Sequence, residues 1–192
     1  MQVFINEQEI GALSVDGTTV AEVIEALSVH VPVDHVVTAV DLDGESFRAG
    51  ADETWARRAS EGVHRLHVRT QGPESLALDL LEEVGAALQV ITAKLDRVVE
   101  LFAVRDGRSA QSLLAVLVEE LHLALVLEEN VAALSGSSSC LSASDFEHVA
   151  TRLVDSHERG ASAETARLLA EELRPLLVVA QDRIADALTS RK

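Results

Sequence analysis

One pair of side chains has the spacing of a metal site. Glu119 and His122 are three residues apart, and residues three apart share a face of an α-helix. Carboxylate-bridged di-iron bundles use two such Glu-x-x-His pairs and a further glutamate from each of two other helices. The comparable pair here is Asp145 with His148, but an acid in the first turn of a helix is expected to stabilise the helix N-terminus instead. The remaining ligands would have to come from Glu82, Glu83, Glu171 and Glu172.

The sequence lacks the motifs of the common catalytic and phosphate-binding sites. It contains no G-x-S-x-G, no G-x-x-x-x-G-K and no G-x-G-x-x-G, which are typical of hydrolases and nucleotide-binding proteins. Cys140 is the only cysteine, so neither an intrachain disulfide nor a cysteine metal cage can form. We therefore expect a non-catalytic protein without a cofactor. A metal-binding helical bundle centred on Glu119 and His122 is the alternative.

The charge of the chain restricts its partners. Residues 1–72 carry 12 acidic and 5 basic side chains, a net of −7, and residues 73–192 carry 20 acidic and 11 basic, a net of −9. Both parts repel phosphate backbones and anionic lipid surfaces. The most apolar stretch, 113–127, contains Glu119 and Glu120 and is short for a bilayer span. We expect no nucleic-acid binding, no membrane insertion and a cytoplasmic location.

The first 70 residues predict short strands around one helix. Strands are expected at 2–6, 10–15, 36–42, 45–47 and 63–70. Side chains alternate between two faces in the first and last of these, 36–42 is β-branched and apolar, and the tight turn Asp43-Gly44 joins it to 45–47. Apolar residues recur at helical spacing from Val20 to Val31, after a possible cap at Thr18 or Thr19 and a break at Asp16-Gly17. The segment 48–62 is expected to be irregular. One helix across a small mixed sheet would bury these faces.

From residue 73 onward the spacing becomes helical. A heptad stripe predicts a long first helix; its members are Ala77, Leu81, Val84, Leu88, Ile91, Leu95, Val98 and Phe102. That stripe could join two chains or face the other helices of its own chain, and the second alternative is favoured. A second helix at 109–134 is apolar over most of its circumference, so it should lie centrally or bind something with its second face.

Two further helices complete a predicted bundle of about four. The third should open at a capping box of Ser144 and Glu147 and end at Gly160. The fourth, at 162–188, contains Pro175, which should kink or divide it. The serine-rich segment at 135–144 is expected to be a flexible linker.

The opening residues resemble a ubiquitin-like β-grasp domain. MQVFINEQEI is similar to the first hairpin of ubiquitin, VDLDGESF to its middle hairpin and HRLHVRT to its last strand. The resemblance covers about residues 1–70 and implies a β-grasp domain at 1–72, with a helical bundle at 73–192. Ubiquitin-like modifiers end in an exposed Gly-Gly, whereas this chain continues through Gly72-Pro73. The resemblance therefore implies a binding module and not conjugation chemistry. The layout also resembles uncharacterised bacterial proteins that join a short β-rich start to long helices.

These observations predict an α+β protein that acts by binding other proteins. Abundant apolar helical surface without a reactive constellation favours an interaction, structural or adaptor protein. We expect its partners to be another protein and a second copy of itself, joined through the helices. The linker at 135–144 could also let the last two helices detach when a partner binds.

Overall fold

A computed structural model describes residues 1–12, 18–51 and 53–190 of the chain. The chain is α+β and divides into two compact units, Met1–Leu76 and Ala77–Lys192. The predicted break at Asp16-Gly17 lies outside the described residues. The two units are described separately below.

A mixed sheet forms the first unit. Its five strands among the described residues are β1 (Gln2–Ile5), β2 (Gln8–Ala12), β3 (Val36–Leu42), β4 (Glu45–Arg48) and β5 (Arg65–Gln71). The strand order is β2-β1-β5-β3-β4. The central pair β1 and β5 is parallel, and every other pair is antiparallel. The connection between the parallel strands therefore contains the helix and the β3–β4 hairpin, as a parallel pair requires.

Among the described residues, one α-helix, α1 (Val20–Ala26), lies wholly within this unit. Thr19 caps it: its hydroxyl accepts from the Glu22 backbone N–H, and the Glu22 carboxylate accepts from the Thr19 backbone N–H. This reciprocal cap satisfies two N–H groups that a helix start leaves without partners. A 3₁₀ turn, Leu27–His30, extends α1, and another, Thr54–Arg57, lies in the segment expected to be irregular.

Alternation in the strands decides which face α1 covers. Val3 and Ile5 in β1 and Leu66 and Val68 in β5 are buried. They form one cluster with Val20, Val23 and Leu27 of the helical segment, and with Val40, Leu42 and Phe47 of the β3–β4 hairpin. Side chains of opposite parity stand on the other face of the sheet. That face contains Phe4, Arg65 and His67.

Five α-helices account for most of residues 73–190. They are α2 (Pro73–Ala103), α3 (Gly107–Ser135), α4 (Ala143–Glu158), α5 (Ser162–Leu168) and α6 (Arg174–Ser190). Seven members of the heptad stripe on α2, from Ala77 to Val98, are buried, and Phe102 is half-buried. They belong to one aliphatic core with inward residues of α3 to α6. The heptad stripe of α2 therefore packs against the other helices of the same unit.

The expected number of about four helices was one too low, because the fourth is divided. A π-helical segment, Leu169–Leu173, separates α5 from α6. Pro175 has no N–H to donate to the carbonyl of Glu171 four residues earlier. The Arg174 N–H instead donates to the Leu169 carbonyl, five residues back, so the turn before the proline is widened.

The predicted capping box at the start of the third helix was also wrong. The helix α4 begins at Ala143, and its N-cap is Ser142, whose side chain makes no capping hydrogen bond. Ser144 lies one residue inside the helix, where its hydroxyl is 3.1 Å from that of Ser142. The two serines satisfy each other, which the spacing from Ser144 to Glu147 could not indicate.

Candidate functional site

The residues that suggested a metal site do not assemble one. Glu119 and His122 are exposed on α3, and Asp145 and His148 are exposed on α4. Asp145 lies in the first turn, as expected of an acid that stabilises a helix N-terminus. Within residues 1–12, 18–51 and 53–190, no three His, Cys, Asp or Glu side chains are grouped closely enough to hold a metal ion.

Two of the proposed acidic ligands are engaged by arginines. Glu172 is paired with Arg152 of α4, and the Glu171 carboxylate lies 3.0 Å from Arg167 of α5. Arg167 also donates to Glu164. The hydrogen bonds to Glu164 and then Glu171 raise the pKa of Arg167, and the hydrogen bond from Arg167 lowers the pKa of Glu164. This cluster links α4 and α5 to the π-helical segment, and its carboxylates are held against cations.

The helix α3 has a buried face and an outward face that is also largely apolar. Its buried aliphatic residues are Ala110, Leu114, Leu117, Leu121, Ala124, Val131 and Ala132. On the opposite side, Leu123 is 66% exposed, and Val116 and Val126 are each 43% exposed. Among the described residues this is the one helix that is long and apolar enough to cross a membrane by length and composition, and only 28% of its most apolar window is buried. It is therefore not a central helix surrounded by protein.

The outward residues of α3 follow a second heptad pattern. Their spacing is 3-4-3-4-3, and the members are Val116, Glu119, Leu123, Val126, Asn130 and Ala133. All six are exposed. Such spacing places them in one stripe on the helix surface, about 26 Å long at 1.5 Å per residue. We call these six residues the outer stripe. Its spacing is that of the contact positions in paired helices, and two of its positions, Glu119 and Asn130, are polar.

An apolar groove of about 380 Å³ runs beside the outer stripe, between α3 and α4. Val118 and Leu125 of α3 face Phe146 and Val154 of α4 across it, and His122 stands at its edge. Val118 is 48% exposed and Val154 is 56% exposed. The groove therefore widens the apolar surface that α3 presents to solvent.

The open face of the sheet in the first unit is built differently. The Arg65 guanidinium lies 4.8 Å from the centroid of the Phe4 ring, and its Nε donates to the His67 ring at 3.2 Å. The Phe4 and His67 rings are 4.4 Å apart. At the edge of the shallow groove beside them, Asp43 accepts from the backbone N–H groups of His64 and Arg65. These polar and aromatic side chains satisfy one another.

A buried carboxylate holds the serine-rich segment after α3. Glu128 is 2% exposed, and its two carboxylate oxygens accept from the Ser139 hydroxyl and from the Cys140 backbone N–H. A cavity of about 260 Å³ lies beside it, bounded by Leu81, Val131 and hydroxyls of the same segment. The contacts orient the connection between α3 and α4, which is the region expected to be a flexible linker.

A comparison with known proteins finds no family model, curated protein or solved structure that matches the chain. Two features of the surfaces described above were not predicted from the sequence. The spacing contains the outer stripe, but the same helix also carries a buried stripe, so the sequence indicated only a helix that is apolar over most of its circumference. The burial of Glu128 had no signal among 32 acidic residues.

Proposed function

We propose that this chain is a non-catalytic interaction protein that forms a homodimer through the outward face of α3 and presents a β-grasp module. The observation that carries the proposal is the outward face itself. Leu123 is 66% exposed there, and Val116 and Val126 are each 43% exposed, although burying an aliphatic side chain contributes about 1.5–3 kcal/mol. A contiguous face of this kind on a soluble helix marks a contact surface.

The β-grasp assignment of the first unit is supported by its topology. The parallel strands β1 and β5 lie between β2 on one side and the β3–β4 hairpin on the other, in the order β2-β1-β5-β3-β4, and a helix covers one face. The open face carries Arg65, His67 and Phe4 in mutual contact. A module of this kind without a free Gly-Gly end serves binding and not conjugation.

A protein partner explains the outward face of α3 better than a bilayer does. Crossing a membrane would remove Leu114, Leu117 and Leu121 from the core that they share with the other helices. It would also place Glu119 and Glu120 among lipid chains, which is costly for ionisable groups. Glu120 is paired with Lys94 of α2, an arrangement that depends on the bundle.

The mass of the protein in solution tests the dimer. Size-exclusion chromatography with light scattering at tens of micromolar should give twice the chain mass of 20.6 kDa. Leu123→Asp should convert the dimer to monomer, because it places a charge in the centre of the contact. Val179→Asp is the matched control, since Val179 is 46% exposed on a different helix, α6. A strict monomer for the unaltered chain would overturn the dimer.

Elemental analysis tests the proposal against the alternative of a metal-binding bundle. The unaltered protein should contain no stoichiometric iron or manganese after purification without chelator. A stoichiometric metal that is lost in His122→Ala would instead support a metal centre at Glu119 and His122. Circular dichroism of the variant should match the unaltered chain, because His122 is exposed.

A further inference from the structure

We infer that the two copies of α3 pair antiparallel about a twofold axis between Ala124 and Leu125. This inference rests on the proposed homodimer and specifies its register. The occupant of the outward face is a second copy of the same chain, because the outer stripe is complementary to its own reversed sequence. In a twofold interface, residue i contacts j of the partner and residue j contacts the partner's i.

The reversed stripe matches apolar with apolar and polar with polar. Position numbers that sum to 249 face each other across the axis, so Leu123 meets Val126 of the second copy in the two central layers. Val116 meets Ala133 in the two outermost layers. Glu119 meets Asn130 in the two layers between. Each of these pairs joins complementary positions of the heptad, as layers of paired helices do.

The polar layers decide between the two orientations. In a parallel pair Glu119 would face Glu119 of the second copy, and two carboxylates at that position would repel. In the antiparallel pair the Glu119 carboxylate, which has no hydrogen-bond or ion-pair partner among the described residues, faces the Asn130 amide. One N–H of that amide donates to the Val126 carbonyl at 2.9 Å. An amide has two N–H donors, so the second can bind the carboxylate.

The flanking positions favour the same orientation. In an antiparallel pair, a position that flanks the stripe lies near the equivalent flanking position of the partner. On the side of the α3–α4 groove, this brings His122 close to Glu129 of the second copy. Both side chains are exposed on α3. A parallel pair would place His122 near Leu127 and Glu129 near Leu134. Antiparallel pairing therefore leaves no like-charged contact along the stripe and adds a contact between a histidine and a carboxylate.

Cysteine cross-linking of the full chain measures the register. In a Cys140→Ala background, Val116→Cys and Ala133→Cys are made separately and then mixed after dissociation. Position 116 is about 26 Å from its own counterpart in the antiparallel pair, far beyond the reach of a disulfide. Each single variant should therefore stay uncross-linked under mild oxidation, whereas the mixture should form the covalent heterodimer.

Each other outcome contradicts a separate statement. Covalent homodimers of both single variants would establish parallel pairing and overturn the register while leaving the homodimer in place. A dimer by light scattering that gives no cross-link in any mixture would show that α3 does not form the contact in this register. Monomeric protein by light scattering would overturn the proposed function itself.

A charge exchange gives an independent readout without oxidation. Asn130→Asp should weaken the dimer by roughly tenfold or more, because it places two carboxylates in each intermediate layer. The double variant Glu119→Lys with Asn130→Asp should restore the dissociation constant to within about threefold of the unaltered chain, because lysine then faces aspartate. In a parallel dimer the double variant would stay about as weak as Asn130→Asp, because lysine would face lysine and aspartate would face aspartate, and that result would refute the register.

Discussion

The open face of the sheet and the outward face of α3 are both exposed, but they treat their side chains in opposite ways. On the sheet, the Arg65 guanidinium covers the Phe4 ring and donates to His67. On α3, Leu123 is 66% exposed, and Val116 and Val126 of the same stripe are each 43% exposed. Charged and aromatic groups on neighbouring strands can contact each other directly. Exposed aliphatic groups are stabilised only when another apolar surface covers them.

Under the proposed dimer, the second copy covers the outward face of α3 and not the open face of the sheet. On the sheet face, Phe4, Arg65 and His67 contact one another, so these three side chains have ring or hydrogen-bond partners in the isolated chain. On the outward face of α3, Leu123 is 66% exposed and Val116 and Val126 are each 43% exposed, since the opposite side of the helix packs into the core. Removing side chains from the two faces should therefore change different measurements: unfolding for one, association for the other.

The largest expected contrast lies within α3 itself. Leu117 is fully buried and Leu123 is 66% exposed, so the same substitution probes both sides of one helix. Leu117→Ala should lower the free energy of unfolding by about 2–5 kcal/mol, because it leaves a cavity in the core. Leu123→Ala should change the unfolding of the monomer by less than about 0.5 kcal/mol and should weaken the dimer.

Urea unfolding followed by circular dichroism at 222 nm, in dilute protein below the dimer dissociation constant, measures the first quantity. Light scattering over a concentration series measures the second. Equal losses of unfolding free energy in the two variants would mean that Leu123 is buried within the monomer, and the contrast between the two faces of α3 would disappear.

The next largest effect concerns the carboxylate beneath the serine-rich segment. Glu128→Ala should cost about 1–3 kcal/mol of unfolding free energy, because the Ser139 hydroxyl and the Cys140 backbone N–H lose their acceptor. It should also speed proteolytic cleavage within 136–142. An exposed carboxylate of α2 gives the control: Glu82→Ala should change neither result. If both variants behave alike, Glu128 does not hold the segment.

The sequence indicated features that depend on one period and missed those that depend on distant segments. The spacing from Ala77 to Val98 is enough to predict a buried face, since any neighbouring helix satisfies it. The burial of Glu128 depends on residues 139 and 140 folding back over α3. No local pattern contains that information. The division of the last helix was predicted in part. Pro175 indicated where the helix would be interrupted, but it did not indicate the widened turn at 169–173.

A smaller effect should follow from removing the cation above Phe4. Arg65→Ala should lower the stability of the first unit by about 0.5–1 kcal/mol, the usual contribution of an exposed cation–π contact, and should leave the mass in solution unchanged. Trp55 is the only tryptophan and lies in this unit, so its fluorescence follows the unfolding of that unit. Arg57→Ala is the control, since Arg57 is exposed in the turn beside Trp55. A dimer weakened by Arg65→Ala would make the sheet face part of the contact.

The smallest expected effect is a pH dependence of the helix that covers the inner face of the sheet. The hydrogen bonds from the Thr19 backbone N–H and hydroxyl lower the pKa of Glu22 from its ordinary value of 4.5. A carboxyl group whose pKa is lower in the folded chain stabilises the fold above its unfolded pKa, and this contribution is lost as the pH falls through the folded pKa. Denaturation midpoints from Trp55 fluorescence should therefore fall less between pH 6 and pH 3 in Glu22→Gln than in the unaltered chain. Glu25→Gln, on the exposed side of the same helix, should keep the full pH dependence. Identical curves for Glu22→Gln and the unaltered chain would show that the cap does not act through the charge of Glu22.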